Sequence, residues 1–307
     1  MMILLYALAA VLLVLVLATL LAPVQMTRLG LAAERRFSRL ELRRATVDGF
    51  DIPYLEGGSG AVLVLIHGFG GDKDNFTRIA RFLTPHYHVI IPDLPGFGDA
   101  SRDLAASYTM SDQVGRIHAL LQQLGLGQVH MGGNSMGGFI SAQYAATYPG
   151  QVASLWLLDP AGTAASHSSD LLLHYEQTGE NPLLVRAVAD FDKTVSSTTY
   201  KKPFLPRFVI RAMALRAVAD FPLHTRIMRQ LSESALLETS YDTLPTPALI
   251  VWGAQDAILS PAGAAAFQRL FPNSTVRIMD GIGHLPMLED PRQTARDYLA
   301  YRAGIAV

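Results

Sequence analysis

The chain has 307 residues, half of them hydrophobic and 17% charged, with a formal net charge of -1. That length holds one large domain or two small ones with ample core, and the near-neutral balance leaves no footprint for nucleic acid. Cysteine is absent, which excludes disulfides, thiolate metal sites and a cysteine nucleophile and agrees with an exported or periplasm-facing protein.

Ile3 to Ala22 are 20 consecutive uncharged residues, 13 of them Leu, Ile or Val. As a helix the run matches a hydrocarbon core of ~30 Å, and its aliphatic side chains sum to roughly 4 to 8 kcal/mol of insertion free energy. The expectation is a transmembrane anchor over residues 1–23. A cleaved signal peptide is the competing reading, but no charged segment precedes the run, which exceeds a usual signal h-region. After Pro23, the residues Met26, Leu29, Ala33, Phe37 and Leu40 share a helical face, with Arg28, Arg35, Arg36, Arg39 and Arg43 largely elsewhere. This predicts an amphipathic juxtamembrane helix over 24–44, its apolar face lying on lipid, docked on the globular part or paired with a second copy. A solvated linker fits the arginines but not Phe37 and Leu40.

The globular core is expected over 45–162 and 245–307. Thr46 to Leu55, turning at Asp48-Gly49, reads as a hairpin. Ala61 to Ile66 is an apolar run into His67-Gly68-Phe69-Gly70-Gly71; Asn75 to Leu83 reads as helix and His88 to Ile91 as strand. A helix capped by Ser111 buries Val114, Ile117, Leu120, Leu121 and Leu124. Gln128 to Met131, two glycines and a helical stretch from Phe139 to Tyr148 then read as strand, turn, helix, and Ala153 to Leu158 as strand. Apolar strands alternating with helices predict an α/β fold with a mostly parallel, doubly wound sheet. The alternation stops over 163–244, which reads as an inserted helical cap. Its runs Leu171 to Leu173, Leu183 to Val188 and Phe204 to Met213 predict an apolar tunnel. The sheet resumes at Ala248 to Trp252 and Thr275 to Met279.

Gly133-Asn134-Ser135-Met136-Gly137 fits the Gly-x-Ser-x-Gly elbow, which lifts a serine hydroxyl above the sheet on a strained turn. Two later loops hold partners: Trp252-Gly253-Ala254-Gln255-Asp256 and Gly281-Ile282-Gly283-His284 each follow a strand. Parallel strands bring such loops to one carboxyl edge. Ser135 is the expected nucleophile, His284 its base and Asp256 the acid that holds the imidazole; Asp159, which also ends a strand, is the alternative acid. The backbone N–H groups of Met136 and Phe69 are the expected oxyanion donors. His67 is expected to brace the oxyanion loop, Asp93 to hold a turn, and His86-x-His88 to bind no metal for want of a third ligand. Gly68 to Lys73 lacks the spacing of a phosphate or dinucleotide loop.

His67-Gly68-Phe69-Gly70-Gly71, Asp93-Leu94-Pro95-Gly96-Phe97-Gly98, Gly133-Asn134-Ser135-Met136-Gly137-Gly138, Trp252-Gly253-Ala254-Gln255-Asp256 and Gly283-His284 together resemble the α/β-hydrolase fold superfamily, over about Thr46 to Tyr301. With Gly115-Arg116-Ile117-His118, Asp159-Pro160-Ala161-Gly162 and the N-terminal apolar run, the chain is similar to membrane-anchored monoacylglycerol lipases and bacterial single-pass phospholipases A. The resemblance implies glycerolipid or phospholipid substrates, a fatty acid product and no cofactor. Carbon–carbon bond hydrolysis of ring-cleavage products is the alternative chemistry, since enzymes of that kind also carry Gly-Asn-Ser-Met-Gly-Gly; a non-catalytic ligand sensor is the alternative outside enzymes. The expected place is the bacterial inner membrane with the catalytic domain facing the periplasm, and the juxtamembrane face predicts a reversible homodimer.

Overall fold

The computed structural model describes residues 2–304, apart from the side chains of residues 11, 12, 14 and 15. Helices α1 (Met2–Leu21) and α2 (Pro23–Phe37) meet at Ala22, where the backbone leaves the helical region and Pro23 begins the second helix. The transmembrane helix expected over Ile3 to Ala22 is corrected: among the described residues no helix is long and apolar enough to cross a membrane.

The helix expected to run to Arg44 is corrected too. It stops at Phe37, Arg39 takes φ 57°, and the chain enters strand β1 (Glu41–Val47). Leu40 is buried under the sheet, not on a helix face, because residues 41–47 pair in register with β2 (Phe50–Gly57), Glu41 opposite Glu56 and Val47 opposite Phe50. Asp48 at φ 50° and Gly49 at φ 80° close this hairpin; positive φ at both turn residues matches the twist of the flanking strands.

There follow β3 (Val62–Ile66), a 3-10 turn at Lys73–Phe76, α3 (Thr77–Leu83), β4 (His88–Pro92) and α4 (Met110–Gln123). Thr109, not Ser111, caps α4: its hydroxyl accepts from the Asp112 N–H while the Asp112 carboxylate accepts from the Thr109 N–H, a reciprocal capping box. Then come β5 (Val129–Asn134), α5 (Met136–Thr147) and β6 (Val152–Leu158). Five helices stand between β6 and the next strand: α6 (Asp170–Thr178), α7 (Phe191–Thr198), α8 (Arg207–Ala219), α9 (Phe221–Ser232) and the short α10 (Leu237–Ser240). The chain closes with β7 (Ala248–Gly253), α11 (Gly263–Leu270), β8 (Ser274–Met279), α12 (Pro286–Glu289) and α13 (Pro291–Gly304).

The eight strands form one sheet in the order β1-β2-β4-β3-β5-β6-β7-β8, antiparallel at β1/β2 and β2/β4 and parallel from there on. Side chains alternate between its faces. Leu155, Leu157, Ile250 and Trp252 join the core on one side, and Trp156, Leu158, Leu249 and Val251 that on the other. A strand buried on both faces has no polar side to show, which is why these segments read as continuous apolar runs. The parallel strands all deliver their carboxyl ends to one edge, where the loops after β3 to β8 gather.

Candidate active site

Ser135 sits between β5 and α5 at φ 56°, ψ -118°, a conformation that a non-glycine residue holds at roughly 1 to 3 kcal/mol when surroundings over-determine it. The surroundings here are backbone. The Ser135 N–H donates to Leu158 O at 3.0 Å, and its carbonyl accepts from Phe139 and Ala161, both at 3.1 Å. The glycines are needed for close approach: a Cβ on Gly133 would lie 2.2 Å from Gly137 O, and one on Gly137 only 2.1 Å from Ile66 O. Strand β5, helix α5 and the end of β3 thus meet at contact distances open only to glycine.

His284 follows β8, and its Nδ1 lies 2.8 Å from Asp256 Oδ2 in the loop after β7. Both side chains are buried. The other Asp256 oxygen accepts the N–H groups of Ile258 at 2.8 Å and Leu259 at 3.1 Å, so the carboxylate is fixed before it meets the imidazole. Asn134, next to the serine, donates its side-chain amide to His284 O at 2.9 Å and Leu158 O at 3.1 Å. That amide joins the serine turn to the main chain of the histidine loop. The Ser-x-Gly pattern gave no sign of this bridge.

Asp159, the alternative acid, also lies here: one atom each of Asp159, Asp256 and His284 fall within 4.8 Å of one another. Its Oδ1 accepts the Gly253 N–H at 2.8 Å, while Oδ2 is buried without a donor among the described residues. Burial, then the negative charge of Asp256, raise its carboxyl well above the usual range. The imidazole is held by Asp256, with the Asp159 carboxyl beside the pair.

The loop after β3 turns at Gly70, φ 71°, and Gly71 N–H bonds to Gly68 O at 3.1 Å. A Cβ on Gly68 would sit 3.2 Å from Ser135 Cβ, so this loop lies against the serine. Phe69 packs edge-on to Phe97, with ring centroids 5.5 Å apart, and beside His224 from α9 at 5.3 Å. His67 is fully buried beneath: Nδ1–H donates to Gly68 O at 2.8 Å, and Nε2 accepts from the Leu94 N–H at 3.0 Å. Burial lowers its pKa to about 4, leaving it neutral and able to play both parts at once. Met136 opens α5, and the first N–H groups of a helix lack intrahelical acceptors and carry its positive dipole end.

Lys73 escaped the sequence reading. It is wholly buried, with Nζ 2.8 Å from Asp93 Oδ2 and 2.9 Å from Asp99 Oδ2, and its N–H donates to Asp93 Oδ1 at 2.7 Å. Asp93 thus does more than hold a turn: it fastens the loop after β4 to the end of the glycine loop after β3. His88, of the His-x-His pair, is engaged with Glu56 at 2.8 Å.

Residues 61–291 match the family model of the alpha/beta hydrolase fold. Lipase 1 of Psychrobacter immobilis is 42% identical over 281 residues, covering 88% of this chain and 86% of that one. Monoacylglycerol lipase ABHD6 of Bos taurus is 27% identical over 252 residues, covering 78% of this chain and 75% of that one. Among solved structures, that of a membrane phospholipase A, a bacterial virulence factor, aligns with a TM-score of 0.89 and 39% identity, covering 99% of both chains. A strained serine between strand and helix, an imidazole bonded to a buried acid at the same sheet edge, and these matches across most of the sequence lead to one conclusion: the chain belongs to the α/β-hydrolase fold family, in its lipase branch.

Proposed function

We propose that the protein is a serine carboxylic-ester hydrolase cleaving acyl esters of glycerolipids, with phospholipase A, lysophospholipase and monoacylglycerol lipase activities as the range to test. The observation carrying this reading is the 2.8 Å bond from His284 Nδ1 to Asp256 Oδ2, in a loop tied through Asn134 to the serine turn. Because Nδ1 is engaged by the acid, Nε2 is the nitrogen left to take a proton. Ser135 Oγ attacks the ester carbonyl and yields its proton to His284 Nε2, and Asp256 stabilises the imidazolium. The Met136 and Phe69 N–H groups receive the oxyanion. His284 then protonates the leaving alcohol, and water activated by the same imidazole releases the fatty acid from Ser135. The 42% identity to a lipase weighs against a carbon–carbon hydrolase or a sensor.

Ser135→Ala is expected to abolish both hydrolysis and covalent labelling by a lipid phosphonate, with the circular dichroism spectrum unchanged. Labelling that survives the substitution refutes the nucleophile. A panel of mono- and diacyl glycerolipids then sets headgroup and position. Medium or long chains should outperform acetyl, at roughly 0.8 kcal/mol per buried methylene, although Leu173, Phe204 and Met213 of the expected tunnel face outward.

The same reading puts the enzyme at the inner-membrane surface facing the periplasm, as a reversible homodimer. It is supported by the absence of cysteine and by the exposure of Leu29 and Phe37 on α2. Replacing both with Glu should lower chemical crosslinking of the purified protein, and unchanged crosslinking moves the contact elsewhere.

A further inference from the structure

Five residues beyond His284, Glu289 ends α12 and is buried to 6% exposure. Its carboxylate meets no cation among the described residues; it accepts four backbone N–H groups from two separate segments. Two flank the histidine, Gly283 at 3.0 Å and Leu285 at 3.1 Å. The other two belong to the segment that follows cap helix α7, Tyr200 at 2.9 Å and Lys201 at 2.8 Å. A single oxygen, Oε2, takes Gly283, Tyr200 and Lys201 together. The same segments touch twice more: the His284 N–H donates to Thr198 O at 3.1 Å, and a Cβ on Gly283 would lie 2.7 Å from Tyr200 N. Gly283 is therefore glycine because the cap backbone passes over it.

A carboxylate receiving several backbone N–H groups forms charge-assisted bonds, roughly twice as strong as neutral ones, and the Gly283 N–H, buried beside the histidine, has no water to turn to if it leaves, whereas Tyr200 and Lys201 lie on the exposed cap side. Moving the cap segment away from the core strips Oε2 of two of its three donors. Moving the histidine loop strips it of the third and Oε1 of its own. Neither segment shifts without exposing a deficit in the other.

We propose that Glu289 is a positioning residue that latches the cap to the catalytic histidine loop, so that closure of the cap over substrate and alignment of the His284 imidazole with Ser135 are one event. The inference rests on the role of His284 given above. It is distinct from that role: Glu289 touches no reacting atom and acts through the main chain at Gly283 and Leu285. Its chemical consequence is that the histidine reaches its working geometry with the cap seated and loses it when the cap lifts.

The test uses the full chain with Glu289→Ala, which removes all four bonds, and Glu289→Gln, which keeps the shape but replaces a charged acceptor by a neutral one and sets an amide N–H against a backbone donor. Rates are normalised to the fraction of molecules that a phosphonate can titrate, so misfolded protein does not enter. Glu289→Gln should lower kcat on a long-chain ester by about 10- to 100-fold, the scale of a misplaced catalytic group, with KM changed by less than about threefold. Amide hydrogen exchange at Tyr200, Lys201, Gly283 and Leu285 should accelerate together in both variants while that of β5 and β6 stays constant. Exchange that rises on only one side of Glu289, or on neither, overturns the latch, and so does a kcat per titrated site that stays at the wild-type value. His284→Ala serves as the separate control: turnover retained there marks failure of the catalytic assignment, and the exchange result alone then judges the latch.

Discussion

Asp159 and Asp256 end adjacent strands and face the same imidazole, yet their surroundings prepare them differently. Asp256 Oδ1 is fixed by two N–H donors and its Oδ2 by the histidine; Asp159 has one donor, a bare oxygen and a backbone at φ 44°. Asp256→Asn should therefore lower kcat on the order of 10,000-fold by breaking the tautomer. Asp159→Asn should cost far less, because the imidazole is bonded to Asp256 and an asparagine can still accept from Gly253. The reverse ranking in steady-state kinetics would move the acid to Asp159. The raised pKa of the Asp159 carboxyl gives a stability prediction, since the folded chain binds its proton more tightly than the unfolded chain does. The native carboxyl holds it above the pH at which the unfolded chain releases it, so the stability it contributes is present below the ordinary carboxyl value of 3.8 and is lost as pH rises through the raised native value. Asp159→Asn has no such slope, up to about 1.4 kcal/mol per pH unit for one proton. Its Tm relative to wild type should climb as pH rises above the ordinary carboxyl value of 3.8, and a constant difference argues that the native carboxyl is not raised.

Loops after β3 and β4 face each other through Lys73, whose burial by itself disfavours the charge while Asp93, Asp72 and Asp74 outweigh it and raise the pKa. Lys73→Met leaves Asp93 buried and uncompensated, which should cost about 3 to 5 kcal/mol. Adding Asp93→Asn should return part of that loss in urea unfolding; if the two changes simply add, the pair is not coupled. This element explains where sequence reading stops. The elbow, the acid loop and the histidine loop were legible because chemistry fixes residue type and each follows an apolar strand. Lys73 and Glu289 were not, since Asp-Lys-Asp and a glutamate at a short helix end are also the composition of solvated turns; only the fold shows where their charges point. The break at Arg39 was hidden for a related reason. Leu40 continues the helical spacing of Met26, Leu29, Ala33 and Phe37, and pairing of Glu41 with Glu56 across a hairpin overrides that periodicity. Thr109 and Ser111 are equally good caps by type, and the Asp112 carboxylate at the third helical position decides between them.

At the scale of the molecule, three bodies meet beside the active-site loops: the sheet core, the cap and helix α2, which lies against α8 and α3. Ion pairs of unequal burial join them. Arg216 of α8 reaches Asp99 at 2.6 Å and Arg102 reaches Asp220 at 2.7 Å, with Arg216 and Asp99 about one third exposed. Pairs as wet as that of Arg216 are worth about 0 to 1 kcal/mol each and weaken with salt. Arg35 of α2 instead forms a two-pronged bond to Asp74, its side chain 14% exposed and that of Asp74 7%, and beside it Glu34 pairs with Arg78 at 2.9 Å. Asp74, itself within the 3-10 turn, also accepts the Thr77 hydroxyl at 3.2 Å, so α2 is fastened to the segment that follows the glycine loop. Raising salt to about 0.5 M, where screening acts within roughly 4 Å, should thus speed limited proteolysis in the cap while α2 stays resistant. Arg35→Ala should do the opposite at low salt, opening Pro23–Phe37 to cleavage and leaving cap sites at their wild-type rate. If α2 in that variant is cut no faster than before, its attachment lies in the apolar contact with α8, and the Arg35 bridge is an ornament of the surface.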